Sequence, residues 1–210
     1  MHKFISMMFS LLVIIGLQVS AESAGTRPER SANRRYISEM TVPNGRGLGS
    51  WGYREMCPGG TYAAGFSLKV ENIVYGTWDN TALNAIRLHC IDELSSLLSL
   101  YHDYASVQSE VGSWGRWTDI KWCPSGFLTD FVLQVKPIEV GIDNTAANNI
   151  MFRCSDGSFL VGEGTYWGNF GDWSKKCEGK GICGIKTRIE EPQGAGDDTA
   201  LNDVIMYCCD

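Results

Sequence analysis

The chain has 210 residues, a formal net charge of −6, eight cysteines, 24 glycines and three histidines. From Tyr36 onward 13 basic residues stand against 22 acidic ones, an acidic body without the basic footprint that nucleic acid or anionic lipid requires. An even cysteine count, with no Cys-x-x-Cys pair and no histidine near the closely spaced Cys177, Cys183, Cys208 and Cys209, points to disulfides and away from zinc.

In chain order, residues 1–21 read as an export signal. Lys3 supplies a positive start, Phe4 to Leu17 an apolar run, and Val19-Ser20-Ala21 the small side chains of a cleavage site. The run is shorter than the roughly 20 residues a membrane span needs, so the expectation is a secreted, extracellular protein with no membrane anchor. Residues 22–35 carry Arg27, Arg30, Arg34 and Arg35 and read as a flexible basic segment. The remainder, residues 36–210, reads as one domain.

That domain repeats itself. The phrases DNTALNAIRLHC (79–90), DNTAANNIMFRC (143–154) and DDTALNDVIMYC (197–208) each end on a cysteine. Each has a cysteine upstream, giving the pairs Cys57–Cys90, Cys123–Cys154 and Cys177–Cys208. Trp51 and Trp117 stand six residues before Cys57 and Cys123, and Trp173 stands four before Cys177. Between the cysteines lie GFSLKVE (65–71), DFVLQVK (130–136) and GIKTRIE (184–190). Their period-two alternation predicts half-buried strands. The same alternation sets Ile86, Leu88 and Cys90 against Ile150, Phe152, Cys154 and Val204, Met206, Cys208, and puts His89 on the variable, solvent side. The repeats run from about 36 to 90, 105 to 154 and 160 to 210. IDELSSLLSLYHDY (91–104) has no counterpart and reads equally as a helix, an edge strand or a loop.

Equivalence of the copies selects one pairing out of 105: Cys57–Cys90, Cys123–Cys154, Cys177–Cys208 and, left over, Cys183–Cys209. An exchange of Cys208 and Cys209 stays open. Three sheets, each apolar on one face, bury those faces by turning them to a common axis as a three-sided prism. A β-trefoil has units nearer 40 residues, too short for these repeats.

CPGGTYAAGFSLKVE, DNTALNAIRLHC, SGSWGRW, DNTAANNIMFRC and GDDTALND resemble the vitelline membrane outer layer protein I family. The resemblance covers residues 36–210, all three repeats and all eight cysteines. It implies an all-β fold, a β-prism of three antiparallel Greek-key sheets with pseudo-three-fold symmetry. It also implies a matrix or barrier role among extracellular glycoproteins, and it permits transfer or hydrolysis of N-acetylglucosamine oligomers.

The aligned acids Asp79, Asp143 and Asp197, with Asp198 beside the last, are the candidate catalytic carboxylates for such glycoside chemistry. The plainer reading is a turn phrase, because Asp-Asn-Thr side chains bond their own backbone, with Asn84, Asn148 and Asn202 satisfying backbone groups where the strands begin. Trp51, Trp114 and Trp167 sit beside glycines, Trp117 and Trp173 stand shortly before cysteines, and all five read as corner packing. Trp78 and Trp122 are not repeated and are the candidate ligand-binding tryptophans. His102 lies in the irregular segment and founds no nucleophile arrangement, a D-x-D calcium spacing is absent, and no cofactor or metal is expected. The reading is a monomeric binding protein for glycoproteins or N-acetylglucosamine-containing glycans, with a carbohydrate-active enzyme as the alternative.

Overall fold

The computed structural model describes residues 33–71, 81–102, 104–137, 146–191 and 200–210. Asp79, Asp143, Asp197, Asp198 and Trp78 lie outside the described residues, as do residues 1–32 with the export signal. In chain order the strands are β1 (Ser38–Met40), β2 (Ser50–Trp51), β3 (Glu55–Met56), β4 (Thr61–Val70) and β5 (Leu83–Asp92). A short helix α1 (Glu93–Leu97) follows, then β6 (Ala105–Val107), β7 (Arg116–Trp117), β8 (Lys121–Trp122), β9 (Leu128–Val135) and β10 (Ala147–Cys154). The chain closes with β11 (Phe159–Val161), β12 (Asn169–Phe170), β13 (Gly181–Ile189) and β14 (Leu201–Cys209).

Three long hairpins, β4–β5, β9–β10 and β13–β14, are the centres of three antiparallel sheets. The spatial orders are β6-β5-β4-β7, β11-β10-β9-β12 and β1-β14-β13-β2. The first two are Greek keys, in which the fourth strand returns beside the first. The third has the same order, but its outer strands come from the other end of the chain. Strand β1 adds to β14 through Ser38↔Cys208, Glu39↔Tyr207 and Met40↔Met206. The N-terminal residues thus complete the C-terminal sheet and close the ring.

The alternating residues face the shared axis. Phe66, Leu68, Ile86 and Leu88 meet Phe131, Leu133, Ile150 and Phe152, and Ile185, Val204 and Met206 join them, all at most 1% exposed. Phe66 and Phe131 both pack on Phe152, with ring centroids 4.7 and 6.1 Å away. Burying one such side chain stabilises the fold by about 1.5–3 kcal/mol. The polar exception, Thr187, is fully buried and donates its hydroxyl to the Glu110 carbonyl at 2.8 Å.

The cysteine-bounded units and the sheets are offset from one another. Cys57 follows β3, in the sheet of β13, while its partner Cys90 lies in β5. Cys123 follows β8, in the sheet of β4, and is bonded to Cys154 of β10. Cys177, whose N–H donates to the Thr129 carbonyl of β9, is bonded to Cys208 of β14. Each of these three bridges therefore ties one sheet to the next. The fourth, Cys183–Cys209, stays within one sheet. It sits at a bulge that the other two hairpins place at Ala64 and Thr129.

The repeated phrases account for the sheet ends. Asn84, Asn148 and Asn202 are fully buried, and each donates its side-chain amide to the carbonyl of Ala82, Ala146 or Ala200. Those same carbonyls accept from the N–H of Glu71, Lys136 and Glu190, which closes the base of each hairpin. The Gly-x-Trp phrases place Gly49, Gly115 and Gly168 at φ of 75°, 87° and 77°. In each case the missing Cβ leaves room for the backbone of Ile189, Val70 or Val135. By register, Trp51 faces Arg188, Trp117 faces Lys69 and Phe170 faces Gln134. The third equivalent of the repeated tryptophan is thus Phe170, and Trp173 is released to a different place. Residues 91–102 resolve into the end of β5, an Asp92-capped helix and a loop; the cap accepts from the Ser95 N–H at 2.8 Å.

Candidate functional site

Each sheet turns its second face outward, and there the three copies diverge. On the sheet of β4 and β5, one cross-strand row is Gly65, His89 and Ser106. His89 is only 3% exposed, not the solvent-facing histidine that alternation predicts. The cover comes from residues far along the chain. Trp122 lies 5.7 Å from the imidazole centroid, and Tyr104 meets it edge-on at 5.0 Å. Tyr101 stacks on Trp122 at 4.8 Å, with 19° between the planes, and anchors its hydroxyl on the Cys123 carbonyl. Gly65 leaves the gap into which the Trp122 ring fits. Trp122, one of the two candidate ligand tryptophans, is therefore half-buried and engaged on several sides.

His89 Nε2 lies 3.0 Å from the Ser67 hydroxyl, and burial, with Arg87 beside it, pushes the imidazole down to about 4. A histidine with a lowered pKa in the folded state takes its proton more readily when unfolded. Its contribution is therefore complete above about pH 6.5 and is lost as pH falls toward 4, amounting to roughly 3 kcal/mol. Melting curves at pH 7 and pH 4 check this: the loss of stability should be smaller by about that amount in His89→Gln than in the parent chain. An equal loss in both proteins contradicts it.

Among the described residues, a concave surface lies at the seam between the β13–β14 and β4–β5 sheets. Residues 49–56, carrying β2 and β3, run beside residues 108–111. Two adjoining depressions share Tyr53 and Glu110, with volumes of about 290 and 440 Å³. The larger is lined by Trp51, Tyr53, Glu110, Ile189 and Glu191 among others, and the smaller adds Glu55 and Gln108. Tyr53 is 83% exposed. Ser109 holds the seam together by donating its hydroxyl to the Tyr53 carbonyl at 2.7 Å. At the equivalent places of the next seam stand Lys121 and Glu163, paired at 2.9 Å. Here they are Glu55 and Glu110, two like charges that cannot pair with each other. The result is an open trough with aromatic faces and carboxylate acceptors.

Alternation cannot find this site, because its two walls are about 55 residues apart and Tyr53, Glu55, Gln108 and Glu110 lie outside the repeated phrases. Tyr53, directly after the Gly-Ser-Trp-Gly turn (49–52), is the aromatic that no repeat accounts for. Among the described residues no group of three or more His, Cys, Asp or Glu is arranged to hold a metal ion, and no helix is long and apolar enough to cross a membrane.

Three Greek-key sheets around one core, stapled at every seam, define a β-prism protein. The architecture is similar to that of Calystegia sepium agglutinin, with a TM-score of 0.50, 12% sequence identity, and coverage of 83% of this chain and 97% of that one; this likeness is one of fold. In sequence the chain is 48% identical over 176 residues to the mouse (Mus musculus) vitelline membrane outer layer protein 1 homolog, covering 83% of this chain and 85% of that protein. It is 50% identical over 176 residues to the human (Homo sapiens) homolog, covering 83% and 84%. The profile of vitelline membrane outer layer protein I (VOMI) matches residues 38–210. The chain belongs to that family.

Proposed function

We propose that the protein is an exported matrix or barrier component that binds glycoproteins or their glycans without turning them over, and that the seam trough is where a sugar chain lies. The trough itself carries this reading. Sugar rings present an apolar C–H face and a rim of hydroxyls, and Trp51 and Tyr53 offer flat faces beside the acceptors Glu55, Glu110 and Glu191. Tyr53 has no burial that would explain an aromatic there. Membership of the family and the seam-crossing bridges support a role outside the cell, where disulfides persist. N-acetylglucosamine-containing chains are the ligand class we favour, with Trp78 and the acids of the three repeated phrases as further contacts.

Titration of immobilised glycoprotein or N-acetylglucosamine oligomers with the parent chain and with Tyr53→Ala tests the proposal. The variant should bind about tenfold more weakly, a loss of about 1.4 kcal/mol, with an unchanged melting temperature. Equal affinity in the two proteins removes the trough from the reading.

A further inference from the structure

The third outer face, on the sheet of β9 and β10, breaks the pattern of the other two. Its cross-strand row is Asp130, Arg153 and Phe159. The equivalent rows are Gly65, His89, Ser106 and Gly184, Tyr207, Glu39. In those two sheets the glycine makes room for the residue before a seam cysteine, Trp122 or Met56, which folds over the face. In the third sheet the glycine is replaced by Asp130, and the residue before Cys177 is the exposed Lys176. No counterpart of Trp122 or Met56 therefore folds over this row, and Arg153 and Phe159 stay partly open to solvent.

What remains open there is organised. Asp130 is 2% exposed, accepts from the Thr129 hydroxyl at 2.8 Å, and holds Arg153 Nη1 at 3.5 Å. The guanidinium carbon lies 4.7 Å from the Trp173 ring centroid and 5.4 Å from that of Phe159. Trp173 can take this place because Phe170 holds the repeated tryptophan position. Arg153 Nε is buried with no hydrogen-bond acceptor among the described residues, and Asp130 engages the guanidinium through Nη1, so the donors of this arginine are only partly used. Phe159 is 56% exposed, and Lys175 and Lys176 beside the row are exposed as well. A fixed arginine flanked by aromatic rings and two lysines stands out on an acidic body.

We infer that the Asp130–Arg153–Phe159 row, with Trp173 and Lys176, is a second glycan subsite that takes an anionic sugar. The arginine and lysine meet the anionic oxygens, and the exposed Phe159 face meets the ring. The shared chemistry is a carboxylate or sulfate ester on a pyranose. The inference rests on the glycan-binding reading but uses a different face from the seam trough.

The test measures binding of 3′-sialyllactose against lactose, and of 6-sulfo-N-acetyllactosamine against N-acetyllactosamine, at low and moderate salt. The parent chain should prefer at least one anionic member of these pairs by about tenfold, and the preference should shrink with salt. Which pair shows it identifies carboxylate or sulfate as the source. Phe159→Ala and Lys176→Glu change exposed side chains and avoid stranding Asp130, and both should erase the preference. Tyr53→Ala should leave it intact. No preference for either anionic sugar, or a preference that survives both variants, overturns the inference whatever the trough binds. A neutral oligomer that fails to bind while the anionic preference holds counts against the trough alone.

Discussion

Gly115→Ala is expected to be among the most damaging single substitutions outside the core, at about 2–5 kcal/mol. A Cβ at this position would stand 2.3–2.5 Å from the carbonyl carbon and oxygen of Val70 and the nitrogen of Glu71. Those are backbone atoms of a central strand and cannot swing away. The residue also has φ of +87°, where an L side chain costs about 1–2 kcal/mol before any clash. Overpacking adds about 1–3 kcal/mol. Three-fold repetition makes the prediction stronger, since Gly49→Ala and Gly168→Ala should behave alike: their Cβ atoms would meet the Ile189 and Val135 carbonyl oxygens at 2.1 and 2.2 Å. Gly47→Ala is the control, with nothing within 4 Å and no positive φ, and should change stability by less than about 0.5 kcal/mol. Equilibrium denaturation of the four variants decides the matter. Similar midpoints for Gly115→Ala and Gly47→Ala would refute the backbone-contact explanation.

The second large effect concerns the bridges. Replacing Cys123 and Cys154 by alanine frees a 31-residue loop, worth about 3.7 kcal/mol in the chain-entropy treatment, and it also unties one sheet from the next. Replacing Cys183 and Cys209 should cost less. With Cys177–Cys208 still closed, the extra ring comprises only the residues from 177 to 183 and from 208 to 209, worth about 2.4 kcal/mol in the same treatment. Thermal unfolding of the two double variants should therefore rank the seam bridge above the within-sheet bridge. The reverse order would mean that the bridges act chiefly through local geometry rather than through the loops they close.

The long hairpins were legible because alternation of Phe66, Leu68 and Val70 against Ile86, Leu88 and Cys90 is a property of each strand alone. The partners of those hairpins were not. Strands of two or three residues, such as β2, β7 and β12, are too short to carry a period. Nothing local in Ser38–Met40 says that it pairs with the far end of the chain. Cysteine spacing grouped residues by bridge, whereas hydrogen bonding groups them by sheet, and the two groupings differ by one seam. The variable positions misled for a related reason. His89 reads as outward-facing, which it is, but Trp122 of β8 closes over it together with Tyr101 and Tyr104, which come from a segment that pattern reading leaves undecided. Trp173 reads as a displaced member of the tryptophan series. Register gives that place to Phe170 and leaves Trp173 against Arg153. Of the candidate ligand contacts, Trp122 is engaged in packing. The trough residues Tyr53, Glu55 and Glu110 come together only when the third sheet borrows its outer strands from the N-terminal side.

That glycans are held and not processed is tested most directly by a crystal of the protein soaked with N-acetylglucosamine oligomers. The predicted result is an intact oligomer along the seam, with a ring against Tyr53 or Trp51 and hydroxyls on Glu110 or Glu191. An oligomer found shortened or extended, or one lodged only against Asp79, Asp143 and Asp197, would contradict it.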